Sequence, residues 1–197
     1  CHASCWLPKP DHYFANAWRQ GAAAGPSMIN LIHDVDLMMY LCGPIVSVQA
    51  MASHAVRGAV AEETMVASVR FESGLLGTLN LSDAALGPWS WELTAKENPA
   101  YPRTDESCYW IGGTKGGLSL PDLTHWHQDE GPDWWAPMHA TRVPCSQADP
   151  LVAQIEHFAA VISGSAAPLV SAQDGRRAVA VIEALRRAAA RGDMQSV

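Results

Sequence analysis

Residues 27–43, SMINLIHDVDLMMYLCG, place one histidine and two aspartates inside a near-continuous apolar run. Ionisable groups are costly to bury without partners, so this stretch constrains the fold more than any other. At roughly 100° per residue around a helix, Met28, Leu31, Ile32, Val35, Met38, Met39 and Cys42 form one broad apolar stripe. Ile29, His33, Asp36 and Tyr40, spaced i, i+4, i+7 and i+11, fall on a second, narrow face, and Leu37 and Leu41 lie on a third side. Such a pattern predicts a helix that is apolar nearly all round and therefore buried. Its His–Asp–Tyr column reads as one wall of a pocket. Ser27 is the expected N-cap, Gly43 the first residue past the end, and Pro44 the stop.

Downstream the period changes from helical to alternating. Residues 45–56 and 63–71 alternate, with Met65, Ala67, Val69 and Phe71 on one face. Ser73 and Gly74 signal a turn, and 75–82 returns with Leu75, Leu79 and Leu81 opposed to Thr78, Asn80 and Ser82. Residues 89–95 read as a further strand. After a polar loop over 96–107, residues 108–111 and 117–120 flank the turn GGTKG, and 123–128 add another strand. GGTKGG lacks the G-x-x-x-x-G-K-[ST] spacing and no helix follows it, so a hairpin turn is expected, not a phosphate loop. Residues 129–148 read as an irregular edge.

Two helices close the chain. Asp149 caps the first and Pro150 opens it, with Leu151, Ile155, Phe158 and Ile162 as its apolar stripe. Ser171 caps the second, with Ala178, Val181, Ile182, Leu185 and Ala189 facing inward. Strands flanked by helices give an α+β class: a large, mostly antiparallel, open-faced sheet with helices packed on one face. The other face mixes Ser, Thr, Asn and Glu with Trp. It is either solvated or a partner surface, and the tryptophans favour a partner. Residues 1–26, with Pro8 and Pro10, read as a linker and lead-in. Within them 13–20 form a short helix or turn, where Trp18 and Arg19 either hold a polar ligand or anchor the segment to the domain.

At 197 residues the chain is long enough for one domain with a sizeable core. Hydrophobic residues at 48% and charged residues at 17% exclude disorder. The net charge of −7 makes nucleic acid and anionic membrane poor partners. No run reaches transmembrane length. Five cysteines without a C-x-x-C read as reduced thiols of a cytoplasmic protein. Neither Cys1 and Cys5 nor His125 and His127 have the further ligands a metal site needs, so no metal is expected. The chain opens on Cys1 in sequence that reads like the interior of a protein, and a fragment or isolated domain is expected.

The small-residue loop GAAAGP, the helix bearing His33-Asp34-x-Asp36 and ending Leu41-x-Gly43, and the IVSVQA that follows resemble the Gfo/Idh/MocA oxidoreductases. So do the F-x-S-G-x-x-G-T hairpin at 71–78, the Gly-Thr-x-Gly turn at 113–116 and the closing PLVSAQDG at 168–175. The resemblance runs from about Trp6 through the final helix. It implies a dihydrodipicolinate-reductase/glucose-fructose-oxidoreductase C-terminal-like fold, with 1–197 as the C-terminal substrate-binding and oligomerisation domain. It also implies NAD or NADP, bound mainly by an N-terminal Rossmann domain. No G-x-G-x-x-G follows a strand in this chain, so no cofactor-binding residue is assigned here. The family's catalytic lysine belongs to the Rossmann half, and Lys9, Lys96 and Lys115 do not sit in its context.

The family's helix carries an Asp four residues before its His. Here His33 matches the His and is the candidate proton-transfer residue, histidine being suited to acid–base work near neutrality. The Asp position is Ile29, with Asn30 beside it. Asp36 matches the second helix carboxylate. Asn30, Asp36, Tyr40, Trp18 and Arg19 are the candidate substrate-binding residues, since a polyol or sugar-like substrate needs a few polar groups among aromatic walls. A homo-oligomer through the open sheet face is the expected assembly. Two other readings compete: a non-catalytic binding or assembly module in which Ile29 marks a lost dyad, and a metal-dependent phosphohydrolase built on His33-Asp34. The latter needs more ligands than the His157 and Asp174 that the late helices offer.

Overall fold

The segment expected as a linker and lead-in supplies the centre of the sheet. In the computed structural model, which describes residues 1–145 and 148–197, β1 (His2–Trp6) pairs parallel with β4 (Leu76–Ser82) and antiparallel with β5 (Tyr109–Gly113). Ala3, Ser4 and Cys5 are buried because strands cover both edges of β1 and its residues are small enough to lie beneath a helix. A five-residue strand is too short to show a period, and Pro8 and Pro10 end it without excluding it.

The alternating segments pair as read. β2 (Ile45–Ser53), β3 (Thr64–Phe71) and β4 form an antiparallel meander, and Met65, Ala67, Val69 and Phe71 share its buried face. β6 (Gly116–Leu120) returns beside β5 through the glycine-rich turn as a hairpin, followed by β7 (Thr124–His127). Within 129–148, where an irregular edge was expected, β8 (His139–Arg142) pairs with β7, and His139 lies opposite His127. Ser146 and Gln147 lie outside the described residues. With β9 (Gln195–Ser196) the described sheet has nine strands in the order β8-β7-β6-β5-β1-β4-β3-β2-β9. All its neighbours are antiparallel except β1 and β4.

Helices α1 (Ile32–Cys42) and α4 (Ala172–Arg191) close one face. Leu31, Val35 and Met38 meet Val181, Ile182, Ala184, Leu185 and Ala188 over Val48, Val69, Phe71, Leu79 and Leu81. Residues 89–95 are not a strand: Trp91–Thr94 form the short helix α2. The Thr94 hydroxyl donates to the Ser90 carbonyl at 2.8 Å, and Trp91 folds back to stack on Tyr109 at 5.3 Å. That tertiary contact overrides the alternation of Trp and Leu.

Helix α3 (Pro150–Ile162) starts as expected, with the Asp149 carboxylate accepting from Leu151 N and Val152 N. Its stripe of Leu151, Ile155, Phe158 and Ile162 is exposed, and no residue of α3 is buried. Only α1 and α4 therefore pack on the sheet as predicted. The five cysteines are unpaired. No helix among the described residues is long and apolar enough to cross a membrane.

The cap of α4 is a capping box: Ser171 Oγ accepts from Asp174 N at 3.2 Å and the Asp174 carboxylate accepts from Ser171 N at 2.9 Å. Ser171→Ala is expected to cost about 1 kcal/mol, read as a lower urea midpoint at unchanged slope.

Candidate active site

The helix that carries the His–Asp–Tyr column begins with a π-helical turn, Ser27–Leu31, ahead of α1. Single π-turns inside helices are rare and concentrate at functional sites. Ser27 is not the N-cap that was expected. It is fully buried, and its N and Oγ both donate to the Glu62 carboxylate, at 3.0 and 2.5 Å. The partner lies 35 residues away, so no local spacing signals it. At the other end Gly43 takes φ +89° and donates to Met39 O at 2.9 Å, a conformation that favours glycine and ends the helix where predicted.

Gly25 lies against Glu62 so closely that a Cβ there would run into the carboxylate. Gly25→Ala is expected to displace Glu62 from Ser27 and cost about 1–3 kcal/mol, the range for stranding buried hydrogen-bonding groups. Thermal melts beside Gly21→Ala, whose Cβ would make only an ordinary contact with Trp18 O at 3.4 Å, check this.

The helix expected to be buried all round is buried on one side only. Leu31, Val35 and Met38 are sealed against α4 and the sheet, whereas His33 is exposed and Tyr40 is 68% exposed. Asp36 is half-buried. Asp36 and Tyr40 line a cleft of about 460 Å³, together with Leu169, Val170, Asp174 and Arg177 at the start of α4. His33 and Asn30 are not part of that cleft's lining. Asn30 is half-buried, and its Oδ1 is buried with no hydrogen-bond partner. Ile29 lies in the π-turn, ahead of the α-helical residues that carry His33.

Trp18 and Arg19 sit apart from the cleft on a 3-10 turn, Ala17–Gln20. Arg19 stacks its guanidinium over the Tyr13 ring at 4.0 Å and donates from Nη1 to Tyr13 O at 2.9 Å, while its Nε is buried without a partner. Trp18 is 63% exposed. Lys9 lies on the other limb of this lead-in, with Nζ 3.7 Å from Asp83 and 5.0 Å from the Tyr13 ring centre. Asp83 also takes Arg57, whose guanidinium reaches Glu63 at 3.6 Å. Breaking one member of such a buried set strands a charge, so the network fixes the path of 9–19 beneath its aromatic residues.

Sequence reasoning missed a buried carboxyl with a strongly raised pKa. Asp34 lies on the buried side of α1, and its carboxylate accepts from the Tyr109 hydroxyl of β5. Burial pushes its pKa up to about 7, offset in part by the bonds from Tyr109 and Cys5, with the nearby Glu92 charge adding to the rise. Burial pushes the Cys108 thiol up to about 12 and raises Cys5 as well. A signal existed: at roughly 100° per residue Asp34 falls about 40° from Met38, at the rim of the apolar stripe. Asp174 and Arg177 were also missed as cleft residues, although Asp174 lies within the PLVSAQDG segment and Arg177 just past its end.

The family model described as "Oxidoreductase family, C-terminal alpha/beta domain" matches residues 2–197. Among solved structures, an NAD-binding protein from Listeria innocua is 17% identical with a TM-score of 0.71, over 99% of this chain and 54% of that one. The WlbA dehydrogenase from Bordetella pertussis, solved in complex with NADH and UDP-GlcNAcA, is 19% identical with a TM-score of 0.64, over 100% and 53%. The UDP-N-acetylglucosamine 3-dehydrogenase from Acidithiobacillus ferrooxidans is 21% identical with a TM-score of 0.67, over 95% and 53%. At these identities the likeness is one of fold, and the chain spans about half the length of the structures it matches. No curated protein matches the chain.

Proposed function

The chain belongs to the Gfo/Idh/MocA oxidoreductase family, as its C-terminal alpha/beta domain, and on that premise we propose that it is the substrate-binding half of an NAD(P)-dependent oxidoreductase acting on a sugar, cyclitol or related hydroxy or oxo compound. One observation carries this reading: Asp36 and Tyr40 line a cleft of about 460 Å³ on the helix face that also turns His33 outward. A cleft of that size, with apolar walls and a few polar groups, suits a small polyhydroxylated molecule.

Among its described residues the chain shows no cradle for a dinucleotide. Its Gly-rich turn closes the β5–β6 hairpin, with no helix N-terminus behind it to meet a pyrophosphate. The cofactor is assigned mainly to an N-terminal Rossmann domain, and when bound there its nicotinamide would supply hydride transfer with the substrate carbon. This chain's residues do the rest. His33 takes the proton of the reacting hydroxyl, or returns it to the carbonyl in reverse. Asp36 and Tyr40 accept and donate hydrogen bonds to neighbouring hydroxyls, while Asn30, whose Oδ1 is buried outside the cleft's lining, supports the helix entry behind them. Trp18 and Arg19 lie apart from this cleft, and Arg19 ties the lead-in together through Tyr13. The unpaired thiols support a cytoplasmic setting. Met51, Val66 and Trp110 on the open sheet face support self-association there.

The test is a fluorescence titration of the full-length polypeptide with NADH and NADPH, followed by turnover of a polyol and sugar panel with the oxidised cofactors. Saturable binding and turnover of a panel member are expected. Absence of cofactor binding would favour the non-catalytic module, with Ile29 as the mark of a lost dyad.

A further inference from the structure

The buried side of α1 carries one group that the proposed chemistry does not use, the Asp34 carboxyl. Among the described residues it ties α1 to the sheet through side-chain hydrogen bonds from the Tyr109 hydroxyl of β5 and the Cys5 thiol of β1. The remaining contacts of α1 are apolar, through Leu31, Val35 and Met38. Apolar packing opposes separation strongly but is non-directional, so it fixes the rotation of a helix about its own axis less well than a hydrogen bond does.

Tyr109 is a fixed point. It is 1% exposed, its ring stacks on Trp91 at 5.3 Å and 26°, and its backbone is held between Ala3 of β1 and Leu120 of β6. A second fixed point lies at the entry to the helix, where Glu62 holds Ser27. Two polar anchors, at Ser27 and Asp34, tie the helix at two points along its length and so limit its rotation about the axis. His33 follows, because its Cα–Cβ bond leaves the helix roughly 100° round from that of Asp34.

We propose that Asp34 and Tyr109 are positioning residues that hold α1 at the rotation in which His33 faces outward. The proposal rests on His33 being the proton-transfer residue. The groups that face Asp34 are the Tyr109 hydroxyl from β5, the Cys5 thiol from β1, the Cys108 thiol just before β5 and the Glu92 carboxylate of α2. Both thiols stay neutral, since burial raises them. Asp34 therefore titrates against one neighbouring charge and two hydrogen bonds, and the helix backbone that carries its side chain also carries His33.

The test follows the His33 imidazole by NMR in the full-length protein carrying isotope-labelled histidine, with the signal identified by its loss in His33→Gln. It is titrated from mildly acidic to mildly alkaline pH in the wild type, Asp34→Asn and Tyr109→Phe. The wild-type curve is expected to show a second inflection where Asp34 ionises. That inflection is lost in Asp34→Asn and moves to higher pH in Tyr109→Phe, because the hydroxyl bond lowers the Asp34 pKa. A pair with only a structural role would lower the melting temperature of Tyr109→Phe and leave three superimposable single-step curves, which overturns the proposal. A Tyr109→Phe that does not fold leaves the decision to Asp34→Asn, which keeps an acceptor for the hydroxyl. Should His33→Ala turn over undiminished while the coupling is present, the functional reading fails and the positioning of the side chain stands.

Discussion

His33→Ala is expected to lower kcat of the full-length protein by about 10²- to 10⁴-fold, the range contributed by a positioned general acid or base, with little change in KM. The split follows from where the side chains sit. Asp36 and Tyr40 line the cleft and His33 does not, so the imidazole contributes little to holding the ground state and acts when the hydroxyl proton moves. An interaction made only in the transition state lowers kcat and kcat/KM together. The lower end of the range is expected, because Ile29 occupies the position from which the family's Asp would orient the imidazole. Steady-state kinetics on whichever panel compound turns over, for the wild type and His33→Ala side by side, check both numbers. A rise in KM at constant kcat would instead make His33 a binding group.

The parts of the fold that could be read from sequence are those whose period is carried by many residues. The alternation of Met65, Ala67, Val69 and Phe71 marked β3, and the end of α1 followed from Gly43 and Pro44. What escaped depends on partners far away in the chain. β1 is too short to show a period and owes its burial to β4, some 70 residues later, and to β5, over 100 residues later. The strand read over 89–95 gave way to α2 because Trp91 gains a ring to stack on. The apolar stripe of α3 was legible, but its exposure was not, because amphipathicity says that a face can be covered and not by what. The same limit applies to the candidate site. The column of His33, Asp36 and Tyr40 was visible in the spacing, yet its orientation depends on Ser27 finding Glu62 and Asp34 finding Tyr109, both long-range pairs of polar groups.

Asp34→Asn is expected to remove a pH-dependent stability difference of about 4 kcal/mol. The folded-state pKa of Asp34 is raised from 3.8 to about 7, so between those values the folded protein keeps a proton that the unfolded chain releases. Stability then falls as pH rises from about 4 to about 7, and is flat above. At about 1.4 kcal/mol per pKa unit the whole interval is worth about 4 kcal/mol. The sign is opposite to that of Asp174, whose pKa is lowered by its bonds from Ser171 and which loses stability as pH falls. The wild-type curve sums such groups, so the informative quantity is the wild type minus Asp34→Asn, measured by urea unfolding across that interval. The variant keeps an acceptor for the Tyr109 hydroxyl but cannot ionise, so the two proteins should be closest near pH 4 and diverge as pH rises, with the variant the more stable. A difference that does not change with pH would mean that Asp34 is ionised in the folded protein throughout. Tyr109 and Cys5 would then have to hold a bare carboxylate in a site 4% exposed, against a desolvation cost that two neutral donors do not offset.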